Sequence, residues 1–216
     1  MSDIVVEQPA VVEADLNYLV ANGVKPATYA YDPPAGVPPR SGVYQTRRVK
    51  IANARVTPPP GGLSLDRNGF ELRQHASALS DFADPTVIER TYYPESEALL
   101  KGRMAIVNLW RPIGWPVETS PLALCDARSI ALNDLVPSDL IYPDRVGETY
   151  SFVFDPRHRW YYFPLMTPDE VLLLKIYDSA GDGVARLTAH TAFDDPSSPP
   201  DARPRRSIEL RALLFF

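Results

Sequence analysis

The pattern of apolar and polar positions changes character midway along this chain. VVEADLNYLVANG, Val11 to Gly23, spaces its apolar residues at helical intervals and closes on a glycine suited to a left-handed cap, which predicts a short helix. YDPPAGVPPRSG then interrupts regular structure, and YQTRRVKIANARV beyond it reads as a strand. After a second break at TPPPGG, LSLDRNGFELRQH predicts two short extended pieces about a turn at Asn68-Gly69. Thr86 to Leu100 predicts a helix stopped at Gly102. From Arg103 the segments RMAIVNLWRPI, ETYSFVF, RWYYFPL, EVLLLKIYDS and SIELRALLFF are rich in β-branched, aromatic and aliphatic residues and bounded by turn formers, so each predicts a strand. DPRH has the length of a hairpin connection, which predicts that ETYSFVF and RWYYFPL pair with each other. VLLLKIY is apolar throughout, so periodicity leaves both strand and helix open there, with Thr167-Pro168-Asp169-Glu170 available as a helix start.

Composition narrows the class. The chain has 216 residues, 45% of them hydrophobic and 23% charged, and reads as one globular domain. Two parts are expected within residues 1–216: N-terminal helices and long loops over 1–102, and a β core over 103–216. The 23 prolines, spread along the chain, favour short strands and ordered loops over a helix bundle. With net charge -5 and scattered basic residues, the chain lacks the footprint of a nucleic-acid binder. No run approaches the ~18 apolar residues of a membrane span. The N-terminus lacks an apolar leader core and Cys125 is the single cysteine, so a cytoplasmic protein is expected.

Chemistry enters near the C-terminus. His190 is followed fifteen residues later by Arg205-Arg206-Ser207, across a region of short strands. That order fits the double-stranded β-helix of iron and 2-oxoglutarate oxygenases, in which two histidines and a carboxylate hold Fe(II) on one face. His190 would be the distal ligand, and Arg205 would fork onto the far carboxylate of 2-oxoglutarate with Ser207 as second donor. Trp110, Arg111 and Tyr162 are candidates to line a substrate pocket, although the plainer reading makes Trp110 and Tyr162 core and pairs Arg111 with an acid such as Asp126. His158 reads as a hairpin residue and Cys125 as a buried small hydrophobe.

Several blocks in sequence also carry a family resemblance. NLWRPIGWPVETSPLALCDARSI, GETYSFVFDPRHRWYYFPLMTPDEVLLLKIYDS, HTAF and RRSIELRALLFF, with GFELRQHASALSDFADPTVIERTYYPESEALLKG upstream, resemble the CmcJ-like and AsaB-like hydroxylase/desaturase family, which includes gibberellin-desaturase-like fungal proteins. The resemblance covers nearly the whole chain. It implies a double-stranded β-helix (jelly-roll, cupin-like) fold and Fe(II)/2-oxoglutarate chemistry on small specialised metabolites. The family pattern also carries a His-x-Asp strand between the blocks resembling YYPESEALLKG and RMAIVNLWRPI, which here join directly at Lys101-Gly102-Arg103. The residues two positions after His75, His158 and His190 are Ser77, Trp160 and Ala192, none a carboxylate. Arg206 stands where the family usually has glutamate.

A degenerate iron site is therefore expected, since one imidazole with a 2-oxo acid holds Fe(II) weakly. The expected cosubstrate is 2-oxoglutarate or another carboxylate. Three mechanisms are open: an oxygenase whose missing ligands come from another subunit or from Glu95, Glu97 or Glu118; a metal-independent isomerase or cyclase; and a non-catalytic partner of an intact paralogue. Loss of a strand should expose an edge on RMAIVNLWRPI, to be covered by a homodimer or heterodimer partner or by the preceding helix.

Overall fold

A computed structural model describes residues 8–79, 82–99, 105–180 and 183–214. Twelve strands follow in chain order: β1 (Val11–Leu19), β2 (Ala27–Tyr29), β3 (Tyr44–Asn53), β4 (Phe70–Gln74), β5 (Ala105–Pro112) and β6 (Leu122–Cys125), then β7 (Leu135–Ile141), β8 (Val146–Phe152), β9 (Trp160–Tyr162), β10 (Glu170–Asp178), β11 (His190–Ala192) and β12 (Ser207–Leu214). They form a five-stranded sheet β1-β3-β9-β6-β11, a four-stranded sheet β12-β5-β10-β4 and a small sheet β2-β7-β8. The first two face each other in a mainly β, double-stranded β-helix of the jelly-roll type.

The predicted N-terminal helix is a strand. In β1 the residues Val12, Ala14, Leu16 and Tyr18 are buried while those between are exposed, a period of two that pairing with β3 selects over the helical spacing. The part expected as helices and loops thus supplies β1 and β3 to one sheet and β4 to the other. Leu65–Asn68 is a single helical turn, capped by the Ser64 side chain and ended by Gly69 at φ 82°. A Cβ at Gly69 would lie 2.9 Å from Thr188 Cβ, so both the angle and the space require glycine. The helix predicted after Thr86 is present as Pro85–Val87, Ile88–Tyr92 with π-type turns, and Tyr93–Leu99. The apolar run of β10 is a strand, buried from Glu170 to Lys175 and flanked by β5 and β4.

Two pairing expectations are corrected. ETYSFVF and RWYYFPL do not pair: β8 pairs antiparallel with β7, whereas β9 lies parallel to β3 and antiparallel to β6. The aromatic WYY is buried at every position, so it belongs at the centre of a large sheet rather than in an exposed ribbon. Nor is β5 an edge. It lies between β10 and β12, and among the described residues that sheet ends on β12 at one side and β4 at the other.

Three apolar clusters hold the layers together. Between the large sheets, Phe70, Trp110, Leu172 and Leu174 meet Leu122, Leu124 and Tyr161. Behind the five-stranded sheet, Val12, Leu16, Ile51, Trp160 and Tyr162 pack with Phe193, Phe152 and Phe154. Behind the four-stranded sheet, Val107, Leu109, Val171 and Leu173 pack with Leu65, Leu210 and Ala212. No helix of the described residues is long and apolar enough to cross a membrane.

Candidate functional site

The end of the inter-sheet space between β11 and β12 is polar. Register places His190 opposite Leu124, and directly opposed residues share a face, so the imidazole looks toward the four-stranded sheet. There Glu209 stands opposite Trp110 and Arg211 opposite Asn108. Asn108, 1% exposed, links the two charges: its amide donates to Glu209 at 2.7 Å and accepts from Arg211 Nε at 3.1 Å. His190 Nδ1 is buried without a hydrogen-bond partner. Burial pulls the His190 pKa below the ordinary histidine value, with Glu209 and a Thr188 backbone hydrogen bond opposing the shift and Arg211 reinforcing it. His190 and Arg211 line a cavity of about 730 Å³ together with Tyr150, Phe152, Ile176 and Tyr177. A second cavity of about 490 Å³, walled by Ile130, Leu132 and Val184, shares Tyr150, Ile176 and Tyr177 with it. The space is sized for a small molecule, with apolar walls interspersed with polar side chains such as Asn17, Arg40, Glu148 and Arg211.

The residues expected from sequence are placed separately. Arg205 donates to the Ser120 carbonyl at 2.6 Å, lies 5.6 Å over the Trp110 ring, and pairs with no carboxylate among the described residues. Burial lowers its pKa. Ser207 opens β12 opposite Pro112, on the same strand face as Glu209 and Arg211. Trp110 is in the inter-sheet core. Arg111, its chain neighbour, necessarily points to the opposite face, where its guanidinium meets His75 Nδ1 at 3.1 Å and the His75 carbonyl at 2.8 Å, over the Tyr92 ring. Asp126 is not its partner, being engaged by Arg128 and Arg159 instead. Tyr162 packs against Phe193 behind the five-stranded sheet. None of Trp110, Arg111 and Tyr162 lines the cavity shared by His190 and Arg211.

The three histidines lie in different surroundings. His75 is bound to Arg111, and His158 is stacked on Tyr18 with Nε2 3.2 Å from Asp134. Of the acids weighed as substitute ligands, Glu95 accepts from Ser77 and from the Ala78 amide, and Glu118 is paired with Arg203. The Glu97 side chain lies outside the described residues, as does the junction Lys101-Gly102-Arg103. Among the described residues no three His, Cys, Asp or Glu side chains gather closely enough to hold a metal ion. Among the described residues, His190 thus has no second histidine and carboxylate gathered beside it as a facial triad would require. Asn108, Glu209 and Arg211 were missed in sequence. The signal that could have found the last two is alternation, since they follow Ser207 at intervals of two.

Comparison with known proteins agrees with this architecture. The family described as "Oxidoreductase/YMDC permease-like domain" matches residues 16–102 and 95–215. The hydroxylase/desaturase asaB of Aspergillus flavus is 40% identical over 172 residues, covering 72% of this chain and 75% of that protein. Aspirochlorine biosynthesis protein N of Aspergillus oryzae is 42% identical over 125 residues, covering 56% of this chain, and the match spans about half, 52%, of that protein's length. Among solved structures, the iron and alpha-ketoglutarate-dependent endoperoxidase NvfI superposes with a TM-score of 0.75 at 22% identity, covering 94% of this chain and 97% of that one. With the family matched over nearly its whole length, the chain belongs to this oxidoreductase family and stands among its hydroxylase/desaturase members.

Proposed function

We propose that the chain is a single-domain, cytoplasmic member of the hydroxylase/desaturase family that binds a small carboxylate-bearing specialised metabolite, or 2-oxoglutarate itself, at a degenerate iron site. The observation that carries this reading is the setting of His190: an imidazole facing the cavity with its Nδ1 buried and without a hydrogen-bond partner, and with no carboxylate two residues after it or after either other histidine. The two family-matched segments meet at residues 95–102, the place where the family's His-x-Asp strand would be expected, and this supports loss of that segment. Fe(II) with 2-oxoglutarate supplies oxygen activation in such proteins, and it needs enough protein ligands to keep its open positions on one face.

What this chain's own residues offer is binding. Arg205, half-buried, without an acid partner among the described residues and outside the lining of either cavity, supplies a guanidinium for a carboxylate beside Trp110. The aromatic and aliphatic walls around Tyr150, Ile176 and Leu187 exclude water from an apolar body. Succinate formation by the purified protein with Fe(II), ascorbate and 2-oxoglutarate under air tests the reading against a His190→Ala control. Equal, background succinate is expected from both. Iron-dependent succinate well above the control would replace it with a functional oxygenase using other ligands. Calorimetry should show weak dicarboxylate binding that Arg205→Ala abolishes, and no binding by the parent would remove Arg205 from the proposal. Turnover of a metabolite by metal-free protein would favour an isomerase or cyclase over a binding partner.

A further inference from the structure

β12 ends its sheet, and among the described residues its outer edge meets no strand. Such an edge presents a row of unpaired N–H and C=O groups, which proteins commonly blunt with proline, lysine or a bulge. Ser207–Leu214, SIELRALL, has no proline or lysine, and its register with β5 runs unbroken from end to end. The Ile113 N–H donates to the Arg206 carbonyl at 3.0 Å, which sets the phase of the ladder. Even-numbered residues from 206 to 214 therefore address β5, and the N–H and C=O groups of Ser207, Glu209, Arg211 and Leu213 point outward.

We propose that this edge pairs antiparallel with the same edge of a second copy of the chain, about a two-fold axis at Leu210, joining two four-stranded sheets into one. A two-fold axis normal to the sheet keeps each face on its own side, so opposed residues must share parity. Centred on Leu210, the pairing sets Glu209 opposite Arg211 twice and Ser207 opposite Leu213 twice, and all four outward-facing residues of each copy find partners. Sliding by one step to either side sets Glu209 against Glu209 or Arg211 against Arg211, and leaves one outward residue beyond the core of the pairing. Behind the sheet the same register brings Leu210 against its own copy and Ile208 against Ala212. This extends the patch in which Leu210 and Ala212 already pack on Val107 and Leu109. β11, last strand of the facing sheet, lies at the same end, so its open edge approaches the same seam. The second copy's Arg211 would then sit beside Glu209, close to His190, and close the polar end of the cavity.

Sedimentation velocity on the full chain at micromolar concentration should show a dimer. Arg211→Glu places like charges opposite each other twice and should weaken dimerisation roughly tenfold or more. The swap of Glu209→Arg with Arg211→Glu should restore it, because the Asn108 amide can turn to serve either order of charges. That recovery separates a broken interface from a broken fold. Leu210→Cys should cross-link two copies under oxidation, and Glu209→Cys should not. A monomer at every concentration, a dimer indifferent to Arg211→Glu, or cross-linking at position 209 instead of 210 would overturn the proposal.

Discussion

The two ends of the space between the large sheets are built on opposite rules. At the β4 end, Phe70, Tyr161, Leu172 and Leu174 interlock in one apolar cluster. At the β11 and β12 end, the same two layers hold His190, Asn108, Glu209 and Arg211, one ring nitrogen has no partner, and both terminal strands stop without a second neighbour among the described residues. One backbone plan thus gives an apolar, stabilising half and a polar half. Apolar contact at one end supplies the rigidity that lets polar groups at the other end remain incompletely matched.

Substitutions should separate the halves by size of effect. Phe70→Ala, at a residue 0% exposed, removes a ring from the dry end and should cost about 4 kcal/mol, read as a lower urea midpoint at unchanged slope. A cost near that of a surface change would mean the dry end is not the stabilising half.

Next comes the ion pair that ties β10 to the loop after β3. Arg55 grips Glu170 with bonds of 2.7 and 2.6 Å, and Gln74 and the Thr167 amide complete the carboxylate's shell. Burial alone would raise the Glu170 pKa, yet the Arg55 bonds and charge, together with the Thr167 amide and Gln74, outweigh it and hold the group below the ordinary carboxylate range. A depressed carboxylate stabilises the fold above its unfolded pKa of ~4.3, and that contribution disappears as pH falls through the lower folded value. Arg55→Ala leaves a buried charge behind and should cost about 3 kcal/mol at pH 7, with the deficit against wild type shrinking in acid. A deficit independent of pH would assign the loss to packing of the Arg55 stem.

A smaller effect is expected at the wet end. His190→Leu replaces an orphaned ring by a side chain that asks for no partner, so stability should stay within about 1 kcal/mol of wild type or rise. His158→Leu takes one partner from the buried Asp134, leaving it the Ala131 amide, and should cost clearly more. Equal costs from the two would show that His190 has a structural partner. Smallest of all is Cys125, 0% exposed, whose thiol burial pushes up to about 12. A disulfide reagent at pH 8 should leave it unmodified in native protein and label it fully in urea.

How much of this was legible beforehand follows the range of the interactions. The β character of the C-terminal half was readable, because strand composition and turn residues are local. β1 was misread although its alternation is strict, because Ala14, Asp15 and Asn17 have little strand preference and Gly23 imitates a helix stop; pairing with β3 decides the matter. The β8 and β9 hairpin failed for the same reason, since short connections favour pairing of neighbours while the buried WYY segment is claimed by strands more than a hundred residues away in β3 and about thirty-five away in β6. Order along the chain singled out His190, Arg205 and Ser207, and of these only His190 lines the cavity. Asn108 was not singled out, because an asparagine amid an apolar strand has no signature until Glu209 and Arg211 arrive beside it.

The hydrogen bond from the Trp160 indole to the Tyr18 hydroxyl, 2.7 Å long and buried, gives the molecule a built-in optical clock. It joins residues 142 positions apart, and β1 can make it only after β3 has found β9. Loops that long close late, because their entropy is lost before any contact rewards it. Quenching of one indole during refolding would time the arrival of β1 separately from the collapse of the rest.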